Sequence, residues 1–188
     1  MQNVKRIWSI VVVTMTMTLT IASWSVGSVY AATSKEIDVN VDVALKQFVQ
    51  DVRGAKDFLA SSKGILVLPK VIQAGVGVGG EYGEGALRSE GKTVAYYNIV
   101  SASLGVQLGA QMKTILLVFL EDGALNKFRE SNGWKAGVDG SVVLVNLGAE
   151  GSVDTKKFNN PIVGFVFGQK GLMYDLSLEG SKFTKIDK

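Results

Sequence analysis

The most informative segment for the fold of this chain is KGILVLPKVIQAGVGVGGEYGEGAL, from Lys63 to Leu87. A short apolar run ends at Pro69, and a glycine-rich run with interleaved valines follows it. Glycine weakens a strand by entropy and by lost packing, so its repetition needs a geometric reason. We interpret the stretch as two strands of one sheet. Tight curvature, barrel closure or close contact with a ligand would each explain the glycines of the second strand.

Three of these glycines, Gly75, Gly77 and Gly80, match the dinucleotide fingerprint G-x-G-x-x-G. That motif binds a pyrophosphate only where a strand ends and a helix begins. The residues that follow, EYGEGALRSEGK, contain three more glycines and show no helical periodicity. The context therefore favours a sheet over a nucleotide site.

The N-terminal segment has the pattern of a secretory signal peptide. Lys5 and Arg6 precede an apolar run from Ile7 to Val29, and small residues lead to Ala31. This pattern predicts an exported protein, periplasmic or secreted, with residues 1–31 removed. The alternative is an uncleaved membrane anchor, since the apolar run is long enough to span a bilayer.

Composition excludes several classes of site. Residues 1–31 hold two of the 20 bases and none of the 17 acids, so the remaining chain has a net charge of about +1. Neither export nor this near-neutral charge favours a nucleic-acid partner. The chain has no cysteine and no histidine, which excludes thiol nucleophiles, Ser-His-Asp triads and His- or Cys-ligated zinc. No pair of carboxylates has diagnostic spacing either, so we expect no enzyme, no cofactor and no metal.

An amphipathic helix is predicted from Val41, after a flexible lead-in over residues 32–40. Apolar residues recur there at intervals of three to four, with polar residues between them. Gly54 is placed to divide this region into two helices. The stripe either caps the sheet or lies on a membrane as an interfacial helix. In the second case the membrane-facing residues are Val41, Leu45, Phe48, Val52 and Leu59.

From Gly64 onward, short apolar and alternating runs predict strands, with a turn at 89–92. The segment Asp122–Arg129 predicts one short helix, capped by Asp122, with Leu125 and Phe128 packing inward. The predicted fold is α+β. It has a mostly antiparallel, barrel- or sandwich-like sheet, an N-terminal amphipathic helix region and one short internal helix, in a single domain over 41–188.

Basic residues cluster around the junction of helix and sheet and around the first hairpin. Such a rim suits anionic headgroups, although scattered surface lysines also serve solubility alone. The candidate lipid-binding bases are Lys56, Lys63, Lys70, Arg88 and Lys92.

Four ordered blocks resemble the SYLF domain, in its bacterial exported branch. They are KGILVLPKVIQAGVGVGGEYGEGAL (63–87), TVAYYNIVSASLGVQLGAQ (93–111), GWKAGVDGSVVL (133–144) and PIVGFVFGQKGLMYDLSLEGSK (161–182). The resemblance implies binding of phospholipids, notably phosphoinositides, through an N-terminal amphipathic segment and nearby bases. Fungal members are also linked to actin, but an exported protein would not meet actin, so we do not expect that partner.

The sequence therefore predicts a non-enzymatic, exported SYLF-type domain that binds anionic lipid headgroups or membrane surfaces. Two alternatives stay open. One is a structural or envelope-stress protein that acts through a protein partner in the envelope. The other is a small barrel that holds an apolar ligand.

Overall fold

The computed structural model describes residues 32–146, 159–171 and 177–188. The predicted signal peptide, residues 1–31, lies outside them. The helices are α1 (Ser34–Asp51), α2 (Ala55–Ala60) and α3 (Asp122–Glu130). The strands are β1 (Gly64–Ser89), β2 (Lys92–Phe119), β3 (Trp134–Lys135), β4 (Val143–Asn146), β5 (Ile162–Gly171) and β6 (Lys182–Ile186). The fold is α+β, as predicted.

Helix α1 begins at Ser34, so the prediction of a flexible lead-in over 32–40 is wrong for most of that segment. Thr33 is the N-cap: its hydroxyl accepts a hydrogen bond from the Glu36 amide, and the Glu36 carboxylate accepts one from the Thr33 amide. This capping box satisfies two backbone donors that have no partner within the helix. The T-x-x-E signature of this box is present in the sequence at Thr33 and Glu36, ahead of the first strongly periodic apolar residues.

Gly54 separates α1 from α2, as the sequence predicts. Its φ of 82° lies in the left-handed region, which glycine adopts at little cost. The two helices therefore meet at an angle set by this residue.

Strands β1 and β2 form one long antiparallel hairpin in place of the several short strands that were predicted. Glu90 and Gly91 make its turn, both with positive φ, which is the preferred geometry for a two-residue hairpin loop. A bulge between Leu68 and Val71 accommodates Pro69, which donates no ladder hydrogen bond. Proline and glycine look like strand ends in the sequence, whereas here they mark bulges and bends inside one continuous strand.

Strand β2 is the centre of the sheet. One of its edges pairs with β1 along most of its length, and the other pairs with β6 over Tyr96–Val100 and with β5 over Gln111–Phe119. Within the described residues the sheet has six strands, and β4 beside β5 is the parallel pair. The sheet is therefore mostly antiparallel, as predicted.

The glycines of β1 allow the hairpin to curl until two parts of the same strand touch. A Cβ atom on Gly83 would lie 2.8 Å from Val71 Cγ2, and one on Gly85 would collide with the Val67 carbonyl. A Cβ on Gly75 would likewise collide with Gly79. Curvature and close packing thus explain the glycine run, and no ligand is needed for it.

Two hydrophobic clusters lie on opposite faces of the sheet. The inner cluster packs α3 against the concave face, and Tyr97, Phe119, Phe128, Trp134 and Phe183 are its largest side chains. The second cluster, which we call the helix-side core, packs α1 and α2 against the other face. Residues Ala32–Lys188 form one compact unit that supplies both clusters.

Helix α3 matches the predicted segment, and Leu125 and Phe128 are buried as expected. Its N-cap is Glu121 and Asp122 lies in the first turn, so the prediction that Asp122 caps the helix is wrong. A carboxylate in the first turn still interacts favourably with the helix dipole. Among the helices of the described ranges, none combines the length and the apolar character that crossing a bilayer requires.

Candidate functional site

The apolar stripe of α1 and α2 faces the sheet. Val41, Phe48 and Val52 are buried in the helix-side core, and Leu45 and Leu59 are partly buried against it. The ring of Phe48 lies 5.0 Å from that of Phe165 on β5. In this structure the stripe therefore caps the sheet, and the hypothesis that these five residues face a membrane is corrected.

The five predicted lipid-binding bases do not converge on one site. Lys63 and Arg88 line a cleft of about 270 Å³ between the helices and the hairpin turn. Lys56 lies in a separate depression between α1 and α2, and Lys70 and Lys92 are exposed on the hairpin.

Arg88 serves chiefly to fasten α1 to the hairpin. Its guanidinium lies 2.8 Å from Asp42 Oδ1 and 3.5 Å from Asp38 Oδ1. Asp38 also accepts hydrogen bonds from the Thr93 hydroxyl at 2.7 Å and the Tyr96 hydroxyl at 2.9 Å. Burial, with Asp38 as the second cause, raises the pKa of Tyr96 above its ordinary value. Since two carboxylates already neutralise Arg88, the cleft is a poor site for an anionic headgroup.

An uncovered apolar surface lies elsewhere, on the middle of the hairpin. Alternate residues of β2 share one face, and at its ends Tyr96, Leu116 and Val118 of that face pack against the helix-side core. Between these ends the helices do not cover the sheet, and the large apolar side chains are exposed. We call this surface the outer hairpin face; it consists of Ile72, Val76, Val78, Tyr82, Val100 and Met112.

Strand register assembles the outer hairpin face from distant parts of the sequence. Ile72 pairs with Met112, and Tyr82 pairs with Val100. Val76 and Val78 lie between these pairs and are 77% and 64% exposed. Cross-strand neighbours on one face lie about 5 Å apart, so each of the two pairs brings its side chains together. We call the row formed by these pairs and the two valines the strip.

Lysines border the strip on the side away from β1. Lys170 of β5 pairs with Met112, and Lys182 of β6 pairs with Val100, so the backbone of each lies beside an apolar member of the strip. The side chain of Lys182 extends toward Gly133, next to β3. Both lysines are exposed. The carboxylate of nearby Glu84 forms an ion pair with Lys188 at 2.9 Å.

The opposite, inner face of the same part of the hairpin is polar and closed. Lys113 Nζ lies 2.8 Å from Glu81 Oε2, and both side chains are withdrawn from solvent. Gln73 Oε1 accepts hydrogen bonds from Gln111 Nε2 at 2.7 Å and from Lys113 Nζ at 3.1 Å. Gln73 and Gln111 are both buried on this face. Within the described residues, no group of three or more acidic side chains is arranged to hold a metal ion.

The outer hairpin face was not predicted from the sequence. The signal was present in the alternation around Val76 and Val78, where glycines occupy the intervening positions and the valines share one face. Alternation identifies the two faces of a strand but does not show which face is left uncovered.

Comparison with protein families supports the resemblance. Residues 100–188 match the model of the Ysc84 family, described as "Las17-binding protein actin regulator". Residues 100–188 are therefore similar to the SYLF family. No curated protein matches the chain.

The matched residues cover most of β2 and everything after it, but not α1, α2 or β1. Val100 and Met112 of the outer hairpin face lie inside the matched residues, as do the neighbouring Lys170 and Lys182, whereas the members of this face on β1 lie outside them. The five bases predicted from sequence all lie outside them. The SYLF family is associated with membranes and lipids.

Proposed function

We propose that the protein is a non-enzymatic, exported SYLF-type domain that binds anionic lipid surfaces through the outer hairpin face. One observation carries the proposal: a strip of exposed valine, isoleucine, methionine and tyrosine side chains lies in the open beside two lysines. Monomeric soluble proteins rarely leave large contiguous apolar patches in water, and such patches usually contact a partner or a membrane.

The chemistry of the strip suits a bilayer interface. Transfer of an exposed valine or isoleucine side chain into an apolar phase stabilises binding by roughly 1.5–3 kcal/mol when complete. Each lysine close to an anionic membrane contributes about 1 kcal/mol. Partial insertion of three aliphatic side chains with two lysines gives on the order of 5–8 kcal/mol, which corresponds to weak, reversible association.

The other two functions find less support. A protein partner in the envelope would also bury an apolar face, but the lysine border favours an anionic surface. An apolar ligand inside the curled sheet would meet Glu81, Lys113 and Gln73, whose charges and amide disfavour it. We do not propose actin as a partner, since the export that we propose would keep the protein from meeting it.

Vesicle co-sedimentation tests the proposal. Residues 32–188 are mixed with vesicles of phosphatidylcholine alone and with vesicles that also contain phosphatidylglycerol. We expect pelleting with the anionic vesicles, weaker at high salt, because screening reduces the attraction of the lysines. Equal, negligible pelleting with both vesicle types would overturn the proposal.

Matched substitutions locate the surface. Val76→Ser with Val78→Ser removes apolar area from the strip, whereas Val39→Ser with Val43→Ser removes it from exposed positions of α1 (55% and 61% exposed). We expect the first pair to abolish binding and the second to leave it unchanged. Lys170→Glu with Lys182→Glu should weaken binding far more than Lys56→Glu with Lys92→Glu. The reverse order would favour the bases predicted from sequence.

A further inference from the structure

Ala32 is held at both of its backbone groups by a nearly buried ion pair. Lys188 Nζ donates hydrogen bonds to the Ala32 carbonyl and to Glu84 Oε2, each at 2.9 Å. The Ala32 amide donates to Glu84, and the Tyr82 hydroxyl donates to Glu84 Oε1 at 2.7 Å. The side chains of Glu84 and Lys188 are each only 10% exposed. We call Tyr82, Glu84 and Lys188 the Ala32 clasp.

The clasp lies immediately after the predicted cleavage point. Hydrolysis of the Ala31–Ala32 bond by a signal peptidase adds one water, which leaves a carboxylate on Ala31 and an ammonium group on Ala32. The nitrogen atom that donates one hydrogen to Glu84 would then carry a positive charge and three hydrogens. A charged donor forms a hydrogen bond roughly twice as strong as a neutral one.

We propose that Glu84 is the binding site for the α-ammonium group that removal of residues 1–31 creates on Ala32. The inference rests on the export that we propose, but not on lipid binding. Removal of residues 1–31 then adds an ion pair that joins the start of α1 to β1. The clasp would stabilise the processed protein relative to its precursor.

The charges around Ala32 determine whether its surroundings attract or repel the new ammonium group. Glu84 and the capping carboxylate of Glu36 attract an ammonium group, whereas Lys188 and the N-terminal dipole of α1 repel it. Glu84 accepts a direct hydrogen bond from the Ala32 nitrogen, so attraction dominates. An α-amino group ordinarily titrates near pH 8. A neighbouring carboxylate raises that pKa in the folded state, so the added stability is complete below about pH 8 and is lost as pH rises through the raised value.

Export of the full-length chain in a bacterial host, followed by N-terminal sequencing and thermal unfolding, tests the proposal without lipid. One variant carries a glycine inserted between Ala31 and Ala32, which moves the amine one residue away from Glu84. A second carries Glu84→Gln, and a third carries Glu90→Gln in the exposed hairpin turn as a matched control.

We expect the processed chain to begin at Ala32. At pH 6.5 the inserted glycine should lower Tm by about 2–4 °C, and this gap should close above pH 10. The insertion should have no further effect in the Glu84→Gln background, and Glu90→Gln should behave as the unmodified chain. A first residue other than Ala32, or an equal Tm for the inserted and unmodified chains at pH 6.5, would overturn the proposal.

Discussion

Lys113 and Glu81 form an ion pair of 2.8 Å inside the curled hairpin, where neither side chain reaches solvent. The two residues are not partners in the strand register, since Lys113 pairs with Val71 and Glu81 pairs with Ser101. They meet because β1 bends over itself. The pair thus joins β1 to β2 at positions that are not register partners, and it depends on the same curl that brings Gly83 against Val71.

Removal of one member of this pair should strongly destabilise the fold. Lys113→Met leaves a buried carboxylate without its cation, which typically costs 3–5 kcal/mol. Urea denaturation measures the loss. The control is Lys63→Met, which breaks the exposed Lys63–Asp122 pair of 3.4 Å and should cost less than about 1 kcal/mol. A similar decrease in the free energy of unfolding for the two variants would show that the Lys113–Glu81 pair does not stabilise the curled hairpin.

Glycines in the hairpin should differ sharply in their tolerance of a methyl group. Gly85→Ala forces a Cβ into the Val67 carbonyl, so either the curl opens or the protein unfolds. Gly123→Ala in α3 meets no atom within 4 Å and should stabilise the protein by roughly 0.4–1 kcal/mol. Thermal unfolding of both variants checks the contrast, and a neutral Gly85→Ala would argue against the close approach.

The N-terminal cap of α1 should contribute measurably to stability. Thr33→Ala removes the hydroxyl that accepts from the Glu36 amide at 3.2 Å, at a cost of about 1 kcal/mol. Thr33→Ser keeps the acceptor and should retain most of the stability. If denaturation midpoints fail to separate the two variants, then the start of α1 does not depend on this cap.

The hydroxyl of Tyr82 should lose its proton at a higher pH than an ordinary tyrosine. Burial, followed by the hydrogen bond to Glu84, raises the pKa of Tyr82 to about 12. The folded state then holds its proton between pH 10 and 12 while the unfolded state loses it, so stability should fall across that range.

Ultraviolet titration of the phenolate measures the pKa of Tyr82, with Tyr82→Phe as the reference that identifies its signal. Glu84→Gln should lower this pKa because the carboxylate charge is gone. An unchanged titration in Glu84→Gln would contradict the role of the hydrogen bond.

Several local features were predictable because they depend on neighbours in sequence. Gly54 had to interrupt a helix, and Glu90-Gly91 had to form a turn, since few residues adopt positive φ. The apolar stripe of α1 was also read correctly as one face of a helix. Its alternative role on a membrane could not be decided from the sequence, because an apolar face looks the same whether it meets a sheet or a bilayer.

Most of the candidate site could not be predicted from the sequence. Charge counting selected Arg88, yet Asp38 and Asp42 neutralise it across about fifty residues of chain. Val76 and Val78 share one face of β1, but a two-residue period identifies two faces without saying which one is covered.

The α+β class, the helix break, the hairpin turn, the absence of cysteine and histidine chemistry, and the family resemblance all follow from the amino-acid sequence. The curl of β1 onto itself at its glycines is visible only in the folded chain. Only the tertiary structure showed that the helices stop short of Val76 and that Glu81 reaches Lys113. These relationships join residues far apart in the chain, and their energies depend on burial and register that no local pattern encodes.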